Sequence, residues 1–220
     1  MPFSENIQPL SITDRRKIIG TLGLAGLGLL GSAATAGAST SGASPKVSVP
    51  TCSRSNPVPA PESLLPDELP DEWVLQQGAL LPGYSRYLSG LKLKSICPKQ
   101  VISAHAKSKG IIWNTLPPKS WWTRMGYTLR VADRIALEMN VTQVEVISAY
   151  RCPAYNAHCD GAKSGSWHQA NVAVDVKFPM RASQVTATAR DLRNLGLFRG
   201  GVGGYWDFTH IDSRGENIDW

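Results

Sequence analysis

The sequence lacks any dense run of Lys and Arg, and its folded part shows no regular alternation of basic with aromatic residues. The formal net charge is nevertheless +6 at pH 7, and part of the excess comes from Arg15, Arg16 and Lys17. Proteins that bind nucleic acid usually concentrate positive charge on one face or along one segment. The composition therefore argues against nucleic acid as a partner and favours another anionic surface.

Long hydrophobic runs are also missing. The apolar stretch over residues 18–30 is uncharged, but it is shorter than the ~20 helical residues that cross a bilayer. Paired arginines precede it, and small residues that fit a cleavage site follow it, namely Ala34-Thr35-Ala36 and Ala36-Gly37-Ala38. We predict an export signal over residues 1–38, of twin-arginine type, with an ordinary secretory signal as the alternative. The mature protein is then predicted to have no stable membrane span and to lie in the periplasm or cell wall.

Cysteine is scarce, with four residues at Cys52, Cys97, Cys152 and Cys159. In an exported chain such cysteines favour disulfides over catalytic thiols. Three pairings are open, and we favour the most local one, Cys152–Cys159 with Cys52–Cys97. A continuous helix over 153–159 would hold the first pair about 10 Å apart, which is beyond disulfide reach. That pairing therefore requires a short or broken helix.

Helical and strand patterns alternate over much of the chain, which predicts the α+β class. Residues 39–71 are rich in Ser, Pro, Ala and Gly and predict a linker, so that the folded domain is expected over 72–220. Ser120 and Ser183 are predicted to cap two long helices, and Gly196 to end the second. The predicted elements are a helix over 121–139, a strand over 144–148, a short helix over 153–156, a strand over 172–178, a helix from 183 to Gly196, and a terminal antiparallel pair over 200–205 and 208–212.

Histidine is scarce as well, with only His105, His158, His168 and His210. Catalytic zinc takes imidazole or carboxylate ligands at about 2.0–2.2 Å and leaves one position for water. His168 lies seven residues before Asp175, across a predicted loop that enters a strand, and His210 lies on a later strand that can pair alongside. Spacing alone leaves two interpretations open, a metal site and a structural Asp–His hydrogen-bond pair.

Four motifs occur in order along the chain: Ser148-Ala149-Tyr150-Arg151, Ser166-Trp167-His168, Ala173-Val174-Asp175 and Phe208-Thr209-His210-Ile211-Asp212. Together they resemble the zinc D-Ala-D-Ala carboxypeptidase family, whose hedgehog/DD-peptidase fold also includes cell-wall endopeptidases of phages. The resemblance covers roughly residues 112–215. It implies a small antiparallel sheet flanked by helices, and a zinc ion held by His168, Asp175 and His210.

The resemblance also implies roles for neighbouring side chains. Arg151 matches the position that holds a substrate carboxylate or the oxyanion, which suits the paired donors of a guanidinium; a structural salt bridge is the alternative. Ser148 matches a position near the substrate, where it can hydrogen-bond the peptide or cap the strand. Trp167 is expected to form a wall of the substrate groove. Asp207, three residues before His210, matches the general base, with a turn aspartate as the alternative.

Three further residues carry expectations. Asp212 is expected to orient an imidazole ligand. Asn171 stands where relatives often have Gly, and Asn is the non-glycine residue that best tolerates positive φ. His158 is expected to be exposed or to cap a helix.

The function implied is zinc-dependent hydrolysis of peptide bonds in peptidoglycan stem peptides or cross-links. Carboxypeptidase and endopeptidase action both remain open. A basic surface would help to hold the anionic wall. The alternative is a non-catalytic peptidoglycan-binding module that retains the peptidase fold.

Overall fold

The computed structural model describes residues 64–220. The helices are α1 (Asp71–Gln77), α2 (Leu80–Gly90), α3 (Pro98–His105), α4 (Trp122–Glu138), α5 (Pro153–Asn156) and α6 (Ala182–Asn194). The strands are β1 (Ser108–Lys109), β2 (Ile112–Trp113), β3 (Glu145–Ser148), β4 (Ala173–Lys177), β5 (Gly201–Gly204), β6 (Thr209–Asp212) and β7 (Ile218–Asp219). Within this part of the chain, no helix has the length and apolar character needed to cross a membrane.

Five strands form the main sheet in the order β3-β4-β6-β5-β7, and β1 and β2 form a separate antiparallel pair. All neighbours in the main sheet are antiparallel except β5 and β7, which run parallel. The predicted α+β class is confirmed. The sheet is mixed rather than purely antiparallel, because β7 returns along the outer edge of β5.

One face of the sheet is covered by α4 and α6. Met125, Leu129 and Ala132 recur at helical spacing along α4 and are fully buried, as an amphipathic helix requires. In the sheet, Val174 and Val176 alternate with Asp175 and point into the same core. The alternation leaves the other face of β4 for polar side chains.

Both predicted helix caps are wrong. Ser120 lies inside a 3₁₀ turn, Lys119–Trp121, that leads directly into α4. Ser183 lies in the first turn of α6, which starts one residue earlier, and no side chain caps either helix. Gly196 does end α6 as expected, with φ of 90°. Neither helix therefore starts at the hydroxyl residue that the sequence offered as its cap.

Helices α1 to α3 add to the core a layer that the sequence patterns did not indicate. Trp73 and Tyr84 are fully buried there, and Nε1 of Trp73 donates to the carbonyl of Asn114. Leu65 and Leu69, within the predicted linker, also pack on the core. The predicted signal, residues 1–38, and most of the predicted linker lie outside the described residues.

The predicted Cys152–Cys159 bond is not formed, and both of these cysteines are free thiols. Helix α5 separates the two residues, and their sulfurs point to different acceptors. Sγ of Cys152 lies 3.8 Å from the carbonyl of Trp113, whereas Sγ of Cys159 lies 3.4 Å from that of Tyr155. Cys52 lies outside the described residues, so its predicted bond to Cys97 stays a prediction.

Candidate metal centre

Strand register places three candidate residues in one row across the sheet. Ser148 on β3 lies opposite Asp175 on β4, and Asp175 lies opposite His210 on β6. Gly203 on β5 continues the row beside His210. Since side chains alternate across a strand, Asp175 and His210 reach the same face of the sheet, away from the helices.

His168 joins this row from the loop between α5 and β4. Its Nδ1 donates to the carbonyl of Ala149 at 2.6 Å, and its own carbonyl accepts from the backbone N–H of Arg151 at 3.3 Å. Asn171 closes the loop with φ of 59°, as expected of an asparagine in place of glycine. These contacts fix the ring and leave Nε2 of His168 without a proton, facing the strands.

Three potential ligand atoms form a tight triangle on buried side chains. Nε2 of His168 lies 3.3 Å from Oδ1 of Asp175 and 3.3 Å from Nδ1 of His210. The Asp175 oxygen and the His210 nitrogen are 2.8 Å apart. Ligand atoms about 2.0–2.1 Å from a tetrahedral zinc are spaced about 3.3 Å from each other. The triangle therefore fits a metal ion of this kind with little adjustment.

The second nitrogen of His210 is held by Asp212. Nε2 lies 3.1 Å from Oδ2 of this buried carboxylate. Asp212 also accepts from the backbone N–H of Gly201 and from Nε of Arg214 at 2.8 Å. Burial opposes the charge on Asp212, but these hydrogen bonds hold its pKa well below the usual range. The carboxylate thus orients the imidazole, as carboxylates behind metal-bound histidines do.

Electrostatics favour the protonation states that a metal needs. Burial lowers the pKa of His168, and the charge of Asp175 offsets this only in part, so the ring is neutral at pH 7. Burial also opposes the charge of Asp175, yet the two histidines outweigh it and keep its pKa far below the usual range. His210 differs, because its hydrogen bonds to Asp175 and Asp212 outweigh burial and raise its pKa. Metal binding would displace a proton from this ring.

Arg151 and Ser148 also meet at this row. Nη2 of Arg151 donates to Oδ2 of Asp175 at 2.8 Å, and its Nε donates to Oγ of Ser148 at 2.9 Å. Ser148 therefore supports the guanidinium in this structure. Arg151 lines the cavity over the triangle and keeps its second Nη nitrogen for another acceptor.

The triangle forms one side of an open cavity of about 690 Å³. Trp167 lines it and is 39% exposed, as expected of a groove wall. The loop over residues 160–166 contributes a second side. Two residues that sequence reasoning did not select, Arg214 and Trp220, complete the lining. Gly201 and Gly203, at alternate positions in β5, were the only available signal for them, because such spacing marks close approach to one strand face.

Asp207 is not brought to the triangle. Its half-exposed carboxylate lies in the turn between β5 and β6, 3.5 Å from Nζ of Lys177, and does not line the cavity. His158 is exposed and contacts the carbonyl of Ala154 in its own turn of helix, as expected. His105 is fully buried in the core, with Nδ1 donating to the carbonyl of Tyr150.

Residues 127–212 match the family model described as Peptidase M15. This segment runs from within α4 to the end of β6 and contains the whole triangle. No curated protein and no solved structure matches the chain. Over this segment the chain is similar to the M15 peptidase family, that of the zinc D-Ala-D-Ala carboxypeptidases.

Proposed function

We propose that the protein is a zinc-dependent peptidase that hydrolyses peptide bonds in peptidoglycan stem peptides or cross-links, on a hedgehog/DD-peptidase fold. The observation that carries the proposal is the buried triangle of His168, Asp175 and His210, whose atom spacings of 2.8–3.3 Å suit tetrahedral zinc. Similarity to the M15 family supports peptidase chemistry in general.

His168, Asp175 and His210 would hold the zinc through Nε2, Oδ1 and Nδ1. When bound, zinc supplies a Lewis acid that polarises a carbonyl and acidifies water at neutral pH. The open cavity over the triangle gives a peptide access to it. Asp212 and the carbonyl of Ala149 keep both imidazoles in the orientation that coordination needs.

Arg151 would bind the substrate's anionic end or the oxyanion that develops during attack. Its guanidinium already lies at the cavity, supported by Ser148 and Asp175. A pre-positioned guanidinium loses little freedom on binding a carboxylate. Its placement beside the triangle brings the charge close to the scissile carbonyl.

Asp207 would accept the proton of the attacking water and pass it to the leaving amine. To do so it must leave Lys177, from which it is separated by 3.5 Å at the surface. Exposed ion pairs of this kind contribute only about 0–1 kcal/mol, so the rotation is inexpensive. Asp207 precedes His210 by three residues and lies in the turn that leads into β6.

One observation favours a second candidate, the non-catalytic peptidoglycan-binding module. Asp207 lies outside the cavity in this structure, as it would if no base were needed. Against this, all three ligands and Arg151 are present and correctly arranged. The enzyme is therefore the proposal, and a measurement of turnover separates the two.

We further propose that residues 1–38 export the protein and that the part of 39–71 before Leu65, where contacts with the core begin, links the signal to the domain. The export signal would deliver the domain to peptidoglycan in the periplasm or cell wall. The basic excess of the chain suits an anionic polymer.

The decisive experiment compares zinc content and release of peptides from purified peptidoglycan for the natural chain, His168→Ala and His158→Ala. His158 is the matched control, because it is exposed and bonded only to its own helix. We expect one zinc per chain and EDTA-sensitive peptide release, both lost in His168→Ala and retained in His158→Ala. Zinc without turnover would support the binding module, and absence of zinc would refute the metal centre.

A further inference from the structure

Trp220 lies flat across β5 because two glycines leave room for it. A Cβ atom at Gly203 would lie 2.4 Å from the Trp220 ring, and one at Gly201 would lie 2.9 Å from it. Neither glycine has positive φ, so backbone conformation does not require them. The ring accounts for the glycine at 203, and at 201 it shares the space with the side chains of Asp212 and Arg214.

The ring reaches from the strand to the triangle and to the cavity. Its centroid is 5.2 Å from that of His210, and its Nε1 donates to the hydroxyl of Tyr205 at 3.1 Å. The guanidinium of Arg214 lies between two indoles, 5.2 Å from Trp220 and 5.0 Å from Trp167. Trp220 remains 45% exposed, and its open surface borders the cavity. A flat apolar surface therefore stands directly beside one of the three ligands.

Strand β7 and helix α6 hold the ring in place. The carbonyl of Trp220 accepts from the backbone N–H of Gly204 at 2.8 Å and from Nη2 of Arg190 at 3.0 Å. Next to it, Asp219 forms a 2.8 Å ion pair with the buried guanidinium of Arg193. Trp220 is thus held by several contacts and remains open to the cavity on one side. Such a side chain is suited to bind a ligand in the cavity, in addition to covering β5.

We propose that Trp220 is a substrate-binding wall that limits the size of the side chain next to the scissile bond, and that Asp219 positions it. The inference rests on the proposed peptidase function and deepens it. Trp220 lies close to His210 and lines the same cavity as Asp175 and Arg151, so a peptide bound over the triangle would lie against the ring. A rigid indole this close to a proposed ligand would favour a small side chain, such as the methyl of alanine, over a branched one. Trp220 also lies beyond the segment that matches the family model.

The test uses zinc-loaded full-length chain and synthetic stem pentapeptides that end in D-Ala-D-Ala, D-Ala-D-Leu or D-Leu-D-Ala. Trp220→Ala is compared with Trp206→Ala, which removes a ring that is 97% exposed and lies in the adjacent turn outside the cavity. Gly203→Ala keeps the indole but displaces it. Asp219→Asn weakens the support from α6 without altering a buried residue.

For Trp220→Ala we expect KM for the alanine peptide to rise about tenfold, the typical effect of losing a buried aromatic contact. We also expect the preference for alanine over leucine to fall about tenfold at one of the two positions. Gly203→Ala should also raise KM for the alanine peptide, and Asp219→Asn should raise it by about threefold. Trp206→Ala should have the same KM and the same selectivity as the natural chain.

Unchanged KM and selectivity in Trp220→Ala and Gly203→Ala would overturn the inference. So would loss of zinc by either variant at concentrations that saturate the natural chain, because the ring would then support His210 rather than contact substrate. If Trp220→Ala fails to fold, the inference is tested with Gly203→Ala and Asp219→Asn instead. Unchanged KM and selectivity, or loss of zinc, in these two variants would overturn it. Failure of the proposed function is distinct, since the natural chain itself would then cleave none of the three peptides.

Discussion

Oδ2 of Asp175 accepts a hydrogen bond from Nη2 of Arg151 at 2.8 Å, while Oδ1 of the same carboxylate lies 2.8 Å from Nδ1 of His210. One buried carboxylate therefore serves both the proposed metal and the proposed substrate-binding cation. The arrangement balances charge, because the carboxylate that would bind zinc also keeps the guanidinium beside it. A substitution at Arg151 leaves all three proposed metal ligands in place. It should therefore affect substrate binding more than metal binding.

Arg151→Lys is expected to lower kcat/KM for a stem pentapeptide by about 10–100-fold, since an ammonium cannot replace a charge-assisted, forked donor at this site. Zinc content should stay near one per chain, because none of the three ligands is altered. Steady-state kinetics together with a zinc assay measure both quantities. Arg134→Lys, in an exposed pair with Glu138, is the control. A variant as active as the natural chain would show that Arg151 is only a structural ion-pair partner.

Asp207→Asn is expected to lower kcat at least about 100-fold with zinc affinity unchanged, because a positioned general base contributes about 10²–10⁴-fold. Lys177→Met should leave kcat within about threefold, since it removes only the surface partner of Asp207. Both are read from the rate at saturating pentapeptide. If Asp207→Asn turns over at the natural rate, the proton is accepted elsewhere.

Asp212→Asn is expected to weaken zinc binding by about 10–100-fold, because it removes the charged acceptor behind His210. Competition with a chromogenic chelator measures the change without any need for activity. Asp67→Asn, which removes a carboxylate from an exposed pair with Lys99, should bind zinc as the natural chain does. Equal affinities for both variants would contradict the role assigned to Asp212.

His105 should make stability depend on pH. Burial lowers its pKa to about 4, whereas an unfolded histidine titrates near 6.5. Between these values the unfolded state binds more protons, so stability is lost as the pH falls from about 6.5 to 4. The loss is about 3 kcal/mol. The physical cause is that neutral His105 already satisfies both nitrogens, through Tyr84 and the carbonyl of Tyr150.

The measurement is urea unfolding of EDTA-treated protein at several pH values, for the natural chain and for His105→Gln. The difference between the two curves isolates this histidine from the other acid-sensitive groups. It should change by roughly 1.4 kcal/mol per pH unit between pH 6 and 4.5. Parallel curves would refute the assignment.

Short-range patterns in the sequence predicted the strands and helices around the site well. The β-branched run ending at Ser148 and the run around Asp175 do form β3 and β4, because β-branched side chains pack well on a pleated, buried surface. The predicted helix caps were wrong, because Ser120 lies in a 3₁₀ turn and Ser183 lies inside the first turn of α6, where neither hydroxyl caps the helix. The prediction that Asn171 adopts positive φ was correct, because positive φ is a local steric property.

The site was predictable only in part. His168, Asp175 and His210 were grouped through family resemblance, since spacing alone could not show that their ligand atoms meet. Trp220 was missed because its position depends on β7 pairing in parallel with β5, a long-range contact with no local pattern. Arg214 was missed because its contacts with Asp212 and with two indole rings depend on side-chain positions that no local pattern indicates. For Asp207 the sequence left two interpretations open, a general base and a turn aspartate. It could not decide between them, because an ion pair with Lys177 depends on side-chain rotation at the surface.

Because side chains alternate along β6, the metal centre can form only when β4 and β6 pair in the correct register. His210 and Asp212 lie on one side of β6, where their side chains contact each other, whereas Thr209 contacts Thr186 on the helical side and Ile211 lies in the core. A slip of one residue between β4 and β6 would exchange these two sets. A chain with correct secondary structure but shifted pairing would then present Thr209 and Ile211 to His168 and would bind no zinc. Uptake of zinc during refolding should thus report the correct alignment of two strands, even before any substrate is added.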